Sequence, residues 1–120
     1  MTKPTTPTIE LIKEGICDRK GRNITHIDLS GIESAAASHF IICEGTSTTH
    51  VAAIADNIRE HLQKSAGIKP YNYGGYEASQ WIVIDYGDTF VHVFLPEFRQ
   101  LYNLEELWND AEITEYPNPD

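Results

Sequence analysis

Val51, Ile54, Ala55, Ile58 and Leu62 fall on one face of a 3.6-residue period, which predicts an amphipathic helix running from Thr46, Ser47 and Thr48, the candidate caps, to about Ala66. Gly67 is its natural stop. Ile9, Ile12 and Ile16 repeat the pattern near the N-terminus, with Thr6 as cap and Pro7 in the first turn, although Gly15 weakens that helix. After the turn-forming DRKGRN, the segment ITHIDL alternates Ile27 and Leu29 with polar neighbours and reads as a strand. Phe40 to Cys43 form an unbroken apolar run, as expected of a strand buried on both faces at the centre of a sheet.

A strand, a long helix and an extended segment near residues 69–73 together predict a right-handed βαβ crossover. Tyr73-Gly74-Gly75-Tyr76 interrupts the pattern before the next strand pair, and Pro96 closes that pair. A last helix is expected from Asn103, with Asn103 as cap and Glu106 reaching back, and a fraying tail after it. No repeat or linker divides the chain, so the expectation is one domain over residues 8–112, with flexible segments at 1–7 and 113–120. The fold class is α/β, a single-domain mixed β-sheet packed with helices.

The stretch WIVIDYGDTFVHVF, residues 81–94, is the densest in chemistry. With Gly87 and Asp88 as a two-residue hairpin loop, Asp85 pairs with Phe90, Ile84 with Val91, Val83 with His92, Ile82 with Val93 and Trp81 with Phe94. Ile82, Ile84, Val91 and Val93 then share a face suited to packing under the long helix. Trp81, Val83, Asp85, Phe90, His92 and Phe94 share the other. That second face is either a surface for a partner or a second core layer covered by a terminal helix, and the pattern fits both.

Eighteen acidic against nine basic residues give a formal net charge of −9, which opposes wrapping of phosphate backbones and favours a basic protein partner. Little direct contact with RNA is expected. Cys17 and Cys43 form no CxxC pair, and the chain carries no apolar run long enough for a membrane span, so a reduced, cytoplasmic protein without membrane contact is expected. Asp85 and Asp88 flank a turn that points them apart, and His39 with Cys43 supplies only half of a zinc site. Gly45-Thr46-Ser47 lacks the lysine of a phosphate-binding loop, and no GxSxG elbow is present. Neither a metal, a cofactor nor a catalytic residue is assigned.

The combination Trp81-Ile-Val-Ile-Asp-Tyr-Gly-Asp88, Val91-His92-Val-Phe94 and Pro96-Glu-x-Arg99-x-x-Tyr102-x-Leu104-Glu105-x-Leu107-Trp108-x-Asp110-Ala111 resembles the ribosomal silencing factors, the Iojap family. His26-Ile-Asp28-Leu29, Phe40-Ile-Ile, Gly45-x-Ser47 and Ala53-Ile-Ala-Asp56 follow the family's order as well, so the resemblance spans about residues 9–111. It implies a fold similar to nucleotidyltransferases but without their catalytic motif, and the chain lacks the paired DxD acids that such enzymes carry after the Gly-Ser turn. It further implies binding to the large ribosomal subunit through its interface-facing protein number fourteen, which blocks joining of the small subunit and represses translation by occupancy. The chain departs from the family at His39-Phe40, where an Asp-Tyr or Asp-Phe pair is common, and at Gly74-Gly75, where Glu-Gly is common.

On this resemblance the partner-binding residues are Trp81, Asp85, Tyr86, His92 and Phe94 from the hairpin, with Arg99, Tyr102 and Glu105 behind them. The aromatics serve as anchors, Asp85 and Glu105 meet basic side chains, and Arg99 alternatively holds the C-terminal segment through an internal acid. Leu107 and Trp108 are assigned to the core rather than to the surface. Two rival readings are a nucleotide-binding enzyme related to nucleotidyltransferases and a homodimer formed by the open sheet face.

Overall fold

The computed structural model describes residues 6–118. Helix α1 (Thr6–Asp18) leads into β1 (Arg22–Asp28) and β2 (His39–Glu44), followed by α2 (Thr48–Ala66) and β3 (Asn72–Gly74). The hairpin strands β4 (Trp81–Asp85) and β5 (Thr89–Phe94) come next, then α3 (Pro96–Tyr102), α4 (Leu104–Leu107) and β6 (Glu112–Glu115). One mixed sheet runs β3-β4-β5-β2-β1-β6, with β2 and β5 paired in parallel and the other neighbours antiparallel. This is the single-domain mixed α/β architecture expected from the pattern, with β2 inside the sheet.

Both long helices lie on one face. The stripe Val51, Ile54, Ala55, Ile58 and Leu62 of α2 is fully buried, and with Ile12 and Ile16 of α1 it packs on Ile41, Cys43, Ile82, Ile84, Val91 and Val93. Ser47 caps α2 by accepting from the His50 amide at 3.1 Å, and Gly67 ends it at φ 67° with its N–H on Gln63. Gly15 breaks nothing: a Cβ there would lie 3.0 Å from the Ile58 backbone, so glycine lets α1 cross α2 closely. Thr6 and Pro7 begin α1; residues 1–5, most of the segment expected to be flexible, and the side chain of Thr6, the expected cap, lie outside the described residues.

The opposite face is covered at one end only. Ile27, Leu29, Ile42 and Phe94 are buried there beneath Phe98, Leu104 and Trp108, with Ile113 beside Ile27 in the sheet, so the C-terminal segment builds a second core layer over that part of the sheet.

The crossover expected through α2 joins β2 to a parallel strand of the same sheet, with β5 and β4 between β2 and β3. Other expectations need correction. No helix is capped by the Asn103 side chain; Asn103 sits in the left-handed region at φ 47° and divides the segment into α3 and α4. Leu107, assigned to the core, is 67% exposed, while Trp108 packs inward. Part of the tail expected to fray is paired: Ile113 to Glu115 continue β6 along β1, the Tyr116 amide donates to Ile24, and the Asn23 amide donates to Asn118 Oδ1. Unpaired edge groups of β1 take up that strand. Among the described residues no helix is long and apolar enough to cross a membrane.

Candidate functional site

The hairpin has the register expected from its turn: Asp85 opposite Phe90, Ile84 opposite Val91, Val83 opposite His92, Ile82 opposite Val93 and Trp81 opposite Phe94. Gly87 adopts φ 92°, and its amide donates to Asp85 Oδ1 at 2.7 Å. Glycine supplies the backbone conformation and the aspartate fixes it, so one carboxylate oxygen of Asp85 belongs to the turn.

On the face away from α1 and α2, the side chains separate by depth. Phe94 is fully buried and His92 is 4% exposed, so both of these expected contact residues lie under the surface instead of on it. Trp81 is half-buried above them, stacked on Phe94 with centroids 5.0 Å apart and 4.5 Å from the ring of Tyr102, which is 49% exposed. Its indole N–H donates to His92 Nδ1 at 3.0 Å. That bond makes Nδ1 the acceptor and places the neutral ring's proton on Nε2, which is buried without a hydrogen-bond partner among the described residues. Burial pushes the His92 pKa down to about 4 and keeps the ring neutral. Phe40 meets the same ring edge to face at 4.6 Å.

Tyr86 faces the wrong way for a contact at this surface. Its position in the strand alternation puts it with Ile82 and Ile84, it is 7% exposed in the helix-covered core, and burial pushes its hydroxyl pKa up to about 12. Arg99 is also internal. Its Nε donates to Glu105 at 2.9 Å, Nη1 to the Asn23 carbonyl at 2.6 Å and to Glu44 at 3.1 Å, and Nη2 to Thr25 at 2.9 Å and again to Glu105. With both donors and acid side chains mostly buried, Arg99 and Glu105 clamp α3 and α4 onto β1 and β2, the internal role that was one of its two expected ones.

What stays accessible is a strip. Asp85, Val83 and Phe90 remain partly exposed where α3 and α4 do not reach, Trp81 joins them to Tyr102, and Leu101 (70% exposed) and Leu107 (67% exposed) extend the apolar surface over the two short helices. The same C-terminal segment carries exposed Glu97, Glu106, Asp110 and Glu112. Sequence alternation had already put Val83 and Phe90 on this face, but Leu101 and Leu107 had no signal separating them from core leucines. Among the described residues no group of three or more His, Cys, Asp or Glu side chains is placed to hold a metal ion. His39 instead pairs its Nδ1 with His26 Nε2 at 2.9 Å, and Cys43 is buried, its thiol pKa raised by desolvation.

Comparison with known proteins gives the same answer from sequence and from fold. The family described as ribosomal silencing factor during starvation matches residues 2–120. The chain is 38% identical over 107 residues to the ribosomal silencing factor of Halalkalibacterium halodurans, covering 89% of this chain and 90% of that one. It is 35% identical over 80 residues to the mouse mitochondrial assembly of ribosomal large subunit protein 1, covering 63% of this chain and 34% of that one. A crystal structure of a Chromobacterium violaceum protein superposes with a TM-score of 0.82 at 33% identity, covering 89% of this chain and 88% of that one.

Proposed function

The chain belongs to the ribosomal silencing factor family, and from that premise we propose that it binds the large ribosomal subunit through the subunit's interface-facing protein number fourteen and sterically blocks joining of the small subunit. It acts by occupancy, without turnover, so repression follows affinity and concentration. The observation that carries this reading is the uncovered strip: Val83, Asp85 and Phe90 on the sheet, continued through Trp81 to Tyr102 on the short helices. Half-buried aromatics over a rigid sheet give contact area without much side-chain entropy to lose, the composition of an interface centre. The acids beside them and the net charge of −9 favour a basic protein as the occupant.

The contact residues are narrower than the hairpin motif as a whole. Trp81, Asp85 and Tyr102 meet the partner, whereas His92, Phe94, Arg99 and Glu105 support them from below and Tyr86 belongs to the opposite core. The name of the mouse relative, which refers to assembly of a large subunit, supports the choice of subunit. Cross-linking from a photoreactive residue at position 101 to purified large subunits, followed by identification of the linked protein, tests the partner. Protein number fourteen is expected, and labelling of a different subunit protein with that one unlabelled overturns the assignment.

A further inference from the structure

Beside the hairpin the sheet carries a groove of about 260 Å³ lined by Asn72, Tyr73, Gly74, Val83, Asp85 and Phe90. Gly74 pairs with Val83 and Asn72 with Asp85, so all four point their side-chain positions to the same open face. A Cβ at Gly74 would meet nothing within 4 Å, and Gly74 is absent from the positive-φ glycines, so no backbone demand explains glycine there. What the missing side chain does is leave the groove empty. Asn72, also at the groove, accepts from the Tyr73 amide at 2.9 Å through its Oδ1. The floor is apolar, and one wall ends in Asp85, whose Oδ1 is engaged by Gly87 while Oδ2 has no hydrogen-bond partner among the described residues.

We propose that this groove is a socket for one long cationic side chain, a lysine or arginine of the docked ribosomal protein, with its aliphatic stem on Val83 and Phe90 and its charged head on the free oxygen of Asp85. An apolar channel closed by a single carboxylate matches the two halves of such a side chain, and the chain's net charge of −9 favours the same sign of partner. Its position between the β3 edge and Trp81 makes it the outer end of the docking strip, so it rests on the docking reading above.

Two variants separate the socket from the fold. Gly74→Leu puts an apolar side chain into the groove at a position where its Cβ meets nothing within 4 Å, and Asp85→Asn keeps an oxygen for the Gly87 amide while removing the charge. Titration of labelled wild-type and variant proteins with purified large subunits at several salt concentrations, with folding checked by circular dichroism, gives the readout. Each variant is expected to bind about tenfold more weakly, and Asp85→Asn to show a shallower salt dependence. Wild-type affinity and salt dependence in both variants overturn the socket while leaving docking intact. Absence of wild-type binding overturns the docking reading and the socket with it.

Discussion

The Trp81 indole N–H donates to Nδ1 of His92 at 3.0 Å along a diagonal between the paired hairpin strands, so a buried imidazole holds the orientation of the half-buried aromatic above it. The bond requires a neutral ring. Unfolded, the histidine titrates near 6.5; folded, its pKa is about 4, so the unfolded state binds the extra proton first. The contribution of His92 to stability is therefore whole above about pH 6.5 and is lost as pH falls toward 4, amounting to roughly 3 kcal/mol at the acid end. Urea unfolding of wild type and His92→Asn across this range checks it. The wild type should lose stability relative to the variant as pH drops, and parallel pH profiles would refute the assignment.

Arg99 ties β1, β2, α3 and α4 through Glu44, Glu105, Thr25 and the Asn23 carbonyl. Removing it leaves two mostly buried carboxylates without their cation. Arg99→Ala is expected to cost about 3 kcal/mol of stability, and Arg99→Lys to recover only part of that because a lysine reproduces the charge and not the fork. Denaturant midpoints of the two variants measure the difference.

Gly87 and Asp85 fix the turn locally, the register follows from the turn, and the register assigns every hairpin side chain to a face. How much of the far face is covered is a long-range matter, since it depends on where the C-terminal segment packs. Phe94 was therefore expected at the surface and lies beneath Phe98, Leu104 and Trp108. Asn103 looked like a cap because asparagine favours that role, but it also tolerates the left-handed region, and here it bends the chain. The polar, proline-containing end looked frayed because the β1 edge that binds it cannot be seen locally.

Neighbouring glycines give opposite expectations. At Gly75 (φ 98°) a Cβ would come 2.2 Å from the Trp81 carbonyl oxygen, whereas at Gly74 it would touch nothing. Gly75→Ala should destabilise the fold by about 2 kcal/mol or more, and Gly74→Ala should be neutral or slightly stabilising. Thermal melts followed by circular dichroism distinguish the two.

Depth predicts which aromatics affect folding and which affect docking. Phe94→Ala empties a fully buried position and is expected to cost about 3–5 kcal/mol. Tyr102→Ala removes a ring that is 49% exposed, so it should leave unfolding within about 1 kcal/mol of wild type and weaken large-subunit binding about tenfold or more. A Tyr102→Ala protein that binds like wild type would remove the helical end from the docking strip.

In the proposed function the protein covers the face of the large subunit that the small subunit must reach. Sucrose-gradient sedimentation of purified large and small subunits, with increasing amounts of the protein added before mixing, tests it most directly. The joined-ribosome peak is expected to decline with dose while the protein travels with free large subunits. A joined peak that persists while the protein is bound to large subunits, or protein left at the top of the gradient at every dose, would contradict it.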